Sequence, residues 1–213
     1  MYDAIFLSGS TITPYKQQFF NSDERLYQTI ETYESIKNKI PNSFCILIEG
    51  SRLTDEQRNY LNECYDVILE YGNDADILNY TTNINIGIGE MKLLQKGIEY
   101  IKKNNISSKY LFKLGGRYTL SNNFNLNNFK INKYTFRPEI CMNMEVYNTG
   151  LYNIPINKIN DFYIILEKGI RLLYGNYPIE RVYVELIDKK DIELLHIIGL
   201  EGRLSYNGNF FSK

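Results

Sequence analysis

The sequence predicts a single α/β domain built on a mainly parallel sheet, and three observations carry that prediction. Through residues 1–120, short apolar runs alternate with stretches of helical period. Each run closes in small or polar turn residues, as buried strands do. No repeat or low-complexity linker divides the 213 residues, so residues 1–213 read as one domain with halves at 1–120 and 121–213.

The opening run Ala4-Ile5-Phe6-Leu7 feeds the turn Ser8-Gly9-Ser10 and reads as a buried strand. From Asp23 to Ile40, residues Leu26, Ile30, Tyr33, Ile36 and Ile40 mark one helix face, which Pro41-Asn42 stops. A second strand, Phe44 to Ile48, closes in Glu49-Gly50-Ser51. Thr54-Asp55-Glu56-Gln57 carries the capping-box pattern of a short helix. Asp66 to Glu70 is a third strand. After a polar stretch, Gly87-Ile88-Gly89 opens a helix with Met91, Leu94, Ile98 and Ile101 on one face. The fourth strand, Tyr110 to Leu114, runs into Gly115-Gly116-Arg117-Tyr118. In sheets of this kind, ligands bind beyond the carboxyl ends of the strands. The second half holds β-like runs at Tyr134–Phe136 and Asn148–Ile154, a helix near Asn157–Leu173, and another after Pro178, a residue suited to a first helical turn.

Composition excludes several functions. Lys+Arg number 24 against Asp+Glu 25, a net charge of -1, so no cation excess is left for non-specific nucleic-acid binding. Three cysteines without a C-x-x-C pair write neither a disulfide framework nor a zinc ribbon. His196 is the single histidine, and its apolar setting reads as packing. No apolar run approaches a membrane span, and the start lacks a signal-peptide pattern. The expectation is a soluble protein of a reducing compartment, the cytoplasm (a host's, if the source is a virus).

The stretch Asn85-Ile86-Gly87-Ile88-Gly89-Glu90-Met91-Lys92, its helix through Lys96-Gly97-Ile98-Glu99-Tyr100-Ile101, and the following strand are the most informative residues. They resemble the central part of GT-A-fold nucleotide-sugar glycosyltransferases of the family-2 type. There an Asn-x-Gly loop precedes a helix with an early basic residue, here Lys92, and the next strand delivers a metal-binding Asp-x-Asp. The resemblance spans roughly residues 1–120 and implies a GT-A-like, Rossmann-like sheet flanked by helices. It implies a nucleotide-sugar donor for the 1–120 half and a glycan or other hydroxyl acceptor for 121–213.

This sequence departs from the pattern where the metal site should be. The strand ends Phe112-Lys113-Leu114-Gly115-Gly116-Arg117-Tyr118, which is similar to divergent GT-A-like enzymes of large DNA viruses and surface-polysaccharide clusters. Lys113 and Arg117 can bring to a pyrophosphate the charge that Mg²⁺ or Mn²⁺ would supply. Gly115 and Gly116 let backbone N–H groups approach the anion, and arginine adds a planar fork. The expectation is therefore no metal cofactor, with Mn²⁺ or Mg²⁺ as the alternative. The literal Asp74-Ala75-Asp76 follows the third strand rather than the fourth and reads as a cap or turn, with metal ligation the other reading.

Ser8, Gly9, Ser10 and Glu49 sit where the resembling fold contacts the nucleoside. Arg137 is a second phosphate partner or a surface cation. Thr149-Gly150-Leu151-Tyr152 is an acceptor wall or an ordinary strand turn. The resemblance implies a carboxylate base at the start of a late helix, matched by Glu180 and, about a turn on, Glu185, with Glu201 an outsider. Glutamates at helix starts are favoured by the dipole in any case. Two rival readings stand beside the glycosyltransferase. One is a non-catalytic nucleotide- or glycan-binding domain. The other is a sugar-nucleotide nucleotidyltransferase, though no Gly-rich signature with a following Arg-Lys appears after the first strand.

Overall fold

In the computed structural model, which describes residues 1–15, 19–83, 85–204 and 207–213, the four apolar runs of the first half become strands. They are β1 (Tyr2–Ser10), β2 (Ser43–Glu49), β3 (Val67–Glu70) and β4 (Ser108–Gly115). Between them lie α1 (Ser22–Lys39), α2 (Asp55–Cys64), α3 (Ala75–Thr81) and α4 (Ile86–Lys103). The Thr54–Gln57 capping box forms as its residues suggest, and Asn21 with Glu24 makes a second one at α1. α3 is an addition to the sequence reading, because its seven residues are too few to show a period. Its N-cap is Asp74, which accepts from Asp76 N and Ile77 N. The literal Asp-x-Asp is thus a helix cap.

The second half supplies β5 (Tyr118–Leu120), β6 (Tyr134–Phe136), β7 (Pro138–Cys141), β8 (Met144–Tyr147) and β9 (Leu151–Ile154). After α5 (Ile159–Tyr174) and α6 (Ile179–Leu186) come β10 (Ile192–Leu194), β11 (Leu200–Arg203) and β12 (Phe210–Ser212). Among the described residues, no helix is long and apolar enough to cross a membrane.

One sheet runs in the order β10-β6-β9-β4-β1-β2-β3. β1 pairs parallel with β2 and β4, β2 with β3, and β10 with β6; β9 runs against β4 and β6. The chain lays β2 and β3 on one side of β1, then crosses to place β4 on the other. That reversal opens a crevice at the carboxyl ends of β1 and β4. β12-β11-β5 forms a small antiparallel sheet, and β7-β8 a hairpin.

The period-two alternation of the strands sorts the core into two layers. Ile5, Leu7, Ile46 and Ile48 pack with Met91, Leu94 and Ile98 of α4 and Phe162 of α5. Ala4, Phe6, Cys45 and Leu47 pack with Ile36 of α1 and Leu61 of α2. Each such aliphatic side chain, fully buried, contributes about 1.5–3 kcal/mol. α4 lies close on the sheet because Gly97 has no Cβ; one there would sit 2.5 Å from Ile48 Cδ1 and 2.8 Å from Leu7 Cδ2. Lys113 shares the strand face of Leu111, which packs in the α4 layer, so the alternation aims Lys113 at α4.

Candidate active site

A cleft of about 1290 Å³ opens at the β1/β4 reversal. One wall is made by Gly9, Ser10 and Thr11 at the end of β1, Arg25 of α1, and Gly115, Gly116 and Arg117 at the end of β4. The facing wall comes from Glu90 of α4, Lys113, Thr149 and Gly150 before β9, and Pro178, Ile179 and Glu180 at the start of α6. Glu139, Asn148 and Lys213 line it as well.

The first wall begins where two backbones touch. Gly116 N donates to Gly9 O at 2.9 Å, and a Cβ on Gly116 would stand 2.7 Å from that oxygen. Only glycine lets the chain pass there, and it delivers Arg117 directly to the crevice. Arg117 Nη1 has no hydrogen-bond partner among the described residues. Arg25, 2% exposed, reaches the same wall from the first turn of α1. Its Nε donates to Phe20 O at 3.2 Å and its Nη1 to Thr11 O at 2.8 Å. Burial, and then the neighbouring Arg117 guanidinium, pull the Arg25 pKa down to about 10, against the pull of Glu49. Burial also lowers Arg117, while Tyr118 and Glu49 favour its charge. Two cations held together with little water are stabilised by an anion near both, to which Arg25 offers charge and Arg117 a hydrogen-bond donor as well.

Glu49 and Ser8 do not reach the cleft. Both are fully buried. Glu49 Oε1 accepts from Ile12 N at 3.1 Å, Ser51 N at 2.7 Å and Ser51 Oγ, so it fastens the loop after β1 rather than facing a nucleoside. Desolvation raises its pKa. The Ser8 hydroxyl is sealed in the interior with no partner among the described residues. Gly9 and Ser10 do line the cleft.

The second wall is paired internally. Lys113, 5% exposed, donates through Nζ to Glu90 Oε1 and to Thr149 O, both at 2.5 Å. Its charge is compensated within the fold, which corrects the expectation of a free cation. Glu139 Oε1 accepts from Arg137 Nη1, Lys213 Nζ and, at 3.0 Å, Asn148 Nδ2. Arg137, which also donates to the carbonyl of the exposed His196, stands behind Glu139 and outside the cleft lining. Lys92 lies over the Tyr80 ring at 5.0 Å, also outside the lining. Glu185 pairs with Arg181 at 2.6 Å, away from the cleft. Of the acceptor-wall residues, Thr149 and Gly150 line the cleft, whereas Leu151 and Tyr152 are buried in β9. Glu201 lies in a separate pocket. Glu180 differs from Glu90 and Glu139: it lines the cleft from the first turn of α6. No hydrogen bond or ion pair engages it among the described residues. Between the walls stands Tyr118, whose pKa burial raises first, with Glu90 and Glu180 adding to the rise against Arg117.

A divalent cation does not fit this strand end. Lys113 and Arg117 offer donors where a metal needs acceptors, and Glu90 is held by Lys113. Among the described residues, no three His, Cys, Asp or Glu side chains gather as a ligand set. Arg25, Glu90 and Tyr118 are cleft residues that sequence reasoning missed. Asn85 of the Asn-x-Gly loop proves to be a brace: it caps α4, and its Nδ2 donates to Leu173 O at 2.9 Å and Tyr177 O at 3.3 Å.

No family model and no curated protein match the sequence. Solved structures do match the fold. A glycosyltransferase involved in the glycosylation of the major capsid of PBCV-1 aligns with a TM-score of 0.52 at 11% identity, over 91% of this chain and 81% of that one. The galactosyltransferase LgtC, solved with donor and acceptor sugar analogues, aligns at 0.56 and 11% identity, over 90% and 72%. CTP:phosphocholine cytidylyltransferase from Streptococcus pneumoniae aligns at 0.50 and 15% identity, over 94% and 92%. The chain has the GT-A-type, Rossmann-like fold of nucleotide-sugar glycosyltransferases, a fold that nucleotidyltransferases share.

Proposed function

We propose that this protein is a glycosyltransferase that moves a sugar from a nucleotide-diphosphate donor to a hydroxyl of a glycan or related acceptor. The observation that carries the reading is the pair Arg25 and Arg117 at the strand reversal, with an unpartnered Arg117 Nη1 beside the glycine contact. The donor diphosphate lies against these guanidiniums, and they stabilise the charge that develops as it leaves. Glu180 takes the proton of the acceptor hydroxyl as that oxygen attacks the anomeric carbon. The bond from that carbon to the phosphate oxygen breaks, and the nucleoside diphosphate departs. This is an inverting course, carried by this chain's own cations without a metal.

Two other readings have one observation each. The cytidylyltransferase match covers nearly the whole of both chains, which favours nucleotidyl transfer. The self-neutralised Lys113–Glu90 pair, standing near the metal site of the resembling family, favours a domain that binds without turnover. Incubation with UDP- and GDP-sugars, followed by assay for released nucleoside diphosphate, tests the proposal. Release supports it. Pyrophosphate release from a nucleoside triphosphate and a sugar phosphate, with intact nucleotide sugars, would replace it with nucleotidyl transfer. Binding of nucleotide sugars without turnover under any acceptor supports the binding domain.

A further inference from the structure

A second pocket, about 500 Å³, lies on the far side of Arg117, between α1 and the β12-β11-β5 sheet. Arg117 lines both this pocket and the cleft. Two large rings are left in water at its walls: Tyr27 of α1, 64% exposed, and Phe210 of β12, 62% exposed. The polar lining is mixed. Glu24, Glu31 and Glu201 bring acceptors, Glu24 being partly engaged in the α1 capping box; Arg203 and Arg117 bring donors, and Gln28 brings both kinds. The Gln28 Oε1 atom at the base of the pocket has no partner among the described residues, so hydrogen-bonding capacity remains unspent there. The Tyr27 hydroxyl stands against the Glu31 carboxylate, which raises its pKa.

The lining selects its ligand by exclusion. A free anion meets Glu31 and Glu201, and a free cation meets Arg117 and Arg203. A neutral ring whose rim both donates and accepts hydrogen bonds meets complementary groups from both sets. Its apolar C–H faces suit an exposed aromatic ring, which supplies contact area at low cost in side-chain entropy. We propose that this pocket is a second binding site, for a neutral pyranose sugar, adjoining the donor cleft. Its place in the reaction, as a holding point for a remote sugar of the acceptor, rests on the glycosyltransferase reading; its ligand class does not.

The test is a protein-observed NMR titration with galactose, glucose, mannose and N-acetylglucosamine, run without nucleotide. One sugar is expected to saturate shifts of residues around Tyr27 with a Kd of about 1–10 mM, as for a ligand of one ring. Tyr27→Ala and Phe210→Ala, each at an exposed position, are expected to weaken that binding about tenfold or more, and Glu31→Gln to weaken it less. All three are expected to keep the melting temperature and the affinity for UDP or GDP. No saturable shift at about 50 mM sugar overturns the proposal. So does binding that survives both aromatic variants, or UDP perturbing Tyr27 and displacing the sugar. Sugar binding that obeys these variants in a protein with no donor turnover keeps the site and removes the glycosyltransferase; turnover without sugar binding does the reverse.

Discussion

The two walls of the cleft spend their charge differently. On the β1/β4 wall, the Arg117 charge presses on Arg25, and the buried Glu49 behind favours the charge of both. On the facing wall, Lys113 is locked to Glu90, and Glu139 is shared by Arg137 and Lys213. Lys113 and Arg117 leave the same strand end as equal cations in the sequence. The strand's alternation sends one to α4 and its glutamate, while the glycine turn sends the other to the crevice. What separates a binding cation from a structural one is the partner that the fold gives it.

The largest predicted effect falls on Glu180, the carboxylate of the second wall that has no partner among the described residues. Glu180→Gln keeps size and hydrogen bonding but removes the base, so steady-state kinetics should show turnover reduced ~10²–10⁴-fold with donor affinity intact. Near-wild-type turnover would take the base role from Glu180. Next comes Arg117→Ala, predicted to weaken nucleoside-diphosphate binding by about 1.5–3 kcal/mol, the range for a hydrogen bond to a charged group, while the melting temperature holds. A large fall in melting temperature with unchanged affinity would make both walls structural.

Lys113→Met probes the opposite wall and should do the reverse. Nucleotide affinity is expected to stay within about threefold, a change under 1 kcal/mol. Stability should fall by about 1–2 kcal/mol as half-exposed Glu90 loses its partner. Calorimetric titration and a thermal melt of one sample read both. A loss of affinity as great as that of Arg117→Ala would erase the distinction between the walls.

The smallest effect concerns Glu49 behind the arginines. Its folded pKa is raised above the ordinary 4.5 by burial, so the folded state holds the proton more tightly than the unfolded chain. Stability from this group is full below pH 4.5 and is lost as pH rises through the folded value. Glu49→Gln lacks that slope. Melts at several pH values should show the variant gaining on wild type as pH increases from about 4.5; a constant difference would mean that Glu49 is ionised in the fold as easily as in the open chain.

The parallel sheet was legible because β1, β2 and β4 are continuous apolar runs, and α4 because its apolar face repeats at the helical period. β10, β11 and β12 were not, since three or four residues cannot display a period. The β7-β8 hairpin was hidden by exposure: Ile140 and Met142 look like core residues and stand in solvent. Within the site, Gly116 and Arg117 could be read from the strand-end position. The Lys113–Glu90 pair joins residues 23 apart in sequence, and Arg25 is one polar residue in a polar helical turn, so neither carries a spacing signal. One misplacement did have a signal: Arg181 and Glu185 stand at i,i+4, the spacing of a helix ion pair. Glu49 ends a strand that is buried on both faces, so alternation alone does not tell where its side chain lies.

In the proposed reaction, guanidinium groups rather than a metal hold the donor's diphosphate. Calorimetry of UDP and GDP with the intact chain, in EDTA and then in Mn²⁺, tests it most directly, with Arg117→Ala run alongside. The account predicts that one nucleotide binds with the same Kd in both solutions and binds more weakly to Arg117→Ala. Binding abolished by EDTA, restored by Mn²⁺ and indifferent to Arg117→Ala would contradict it.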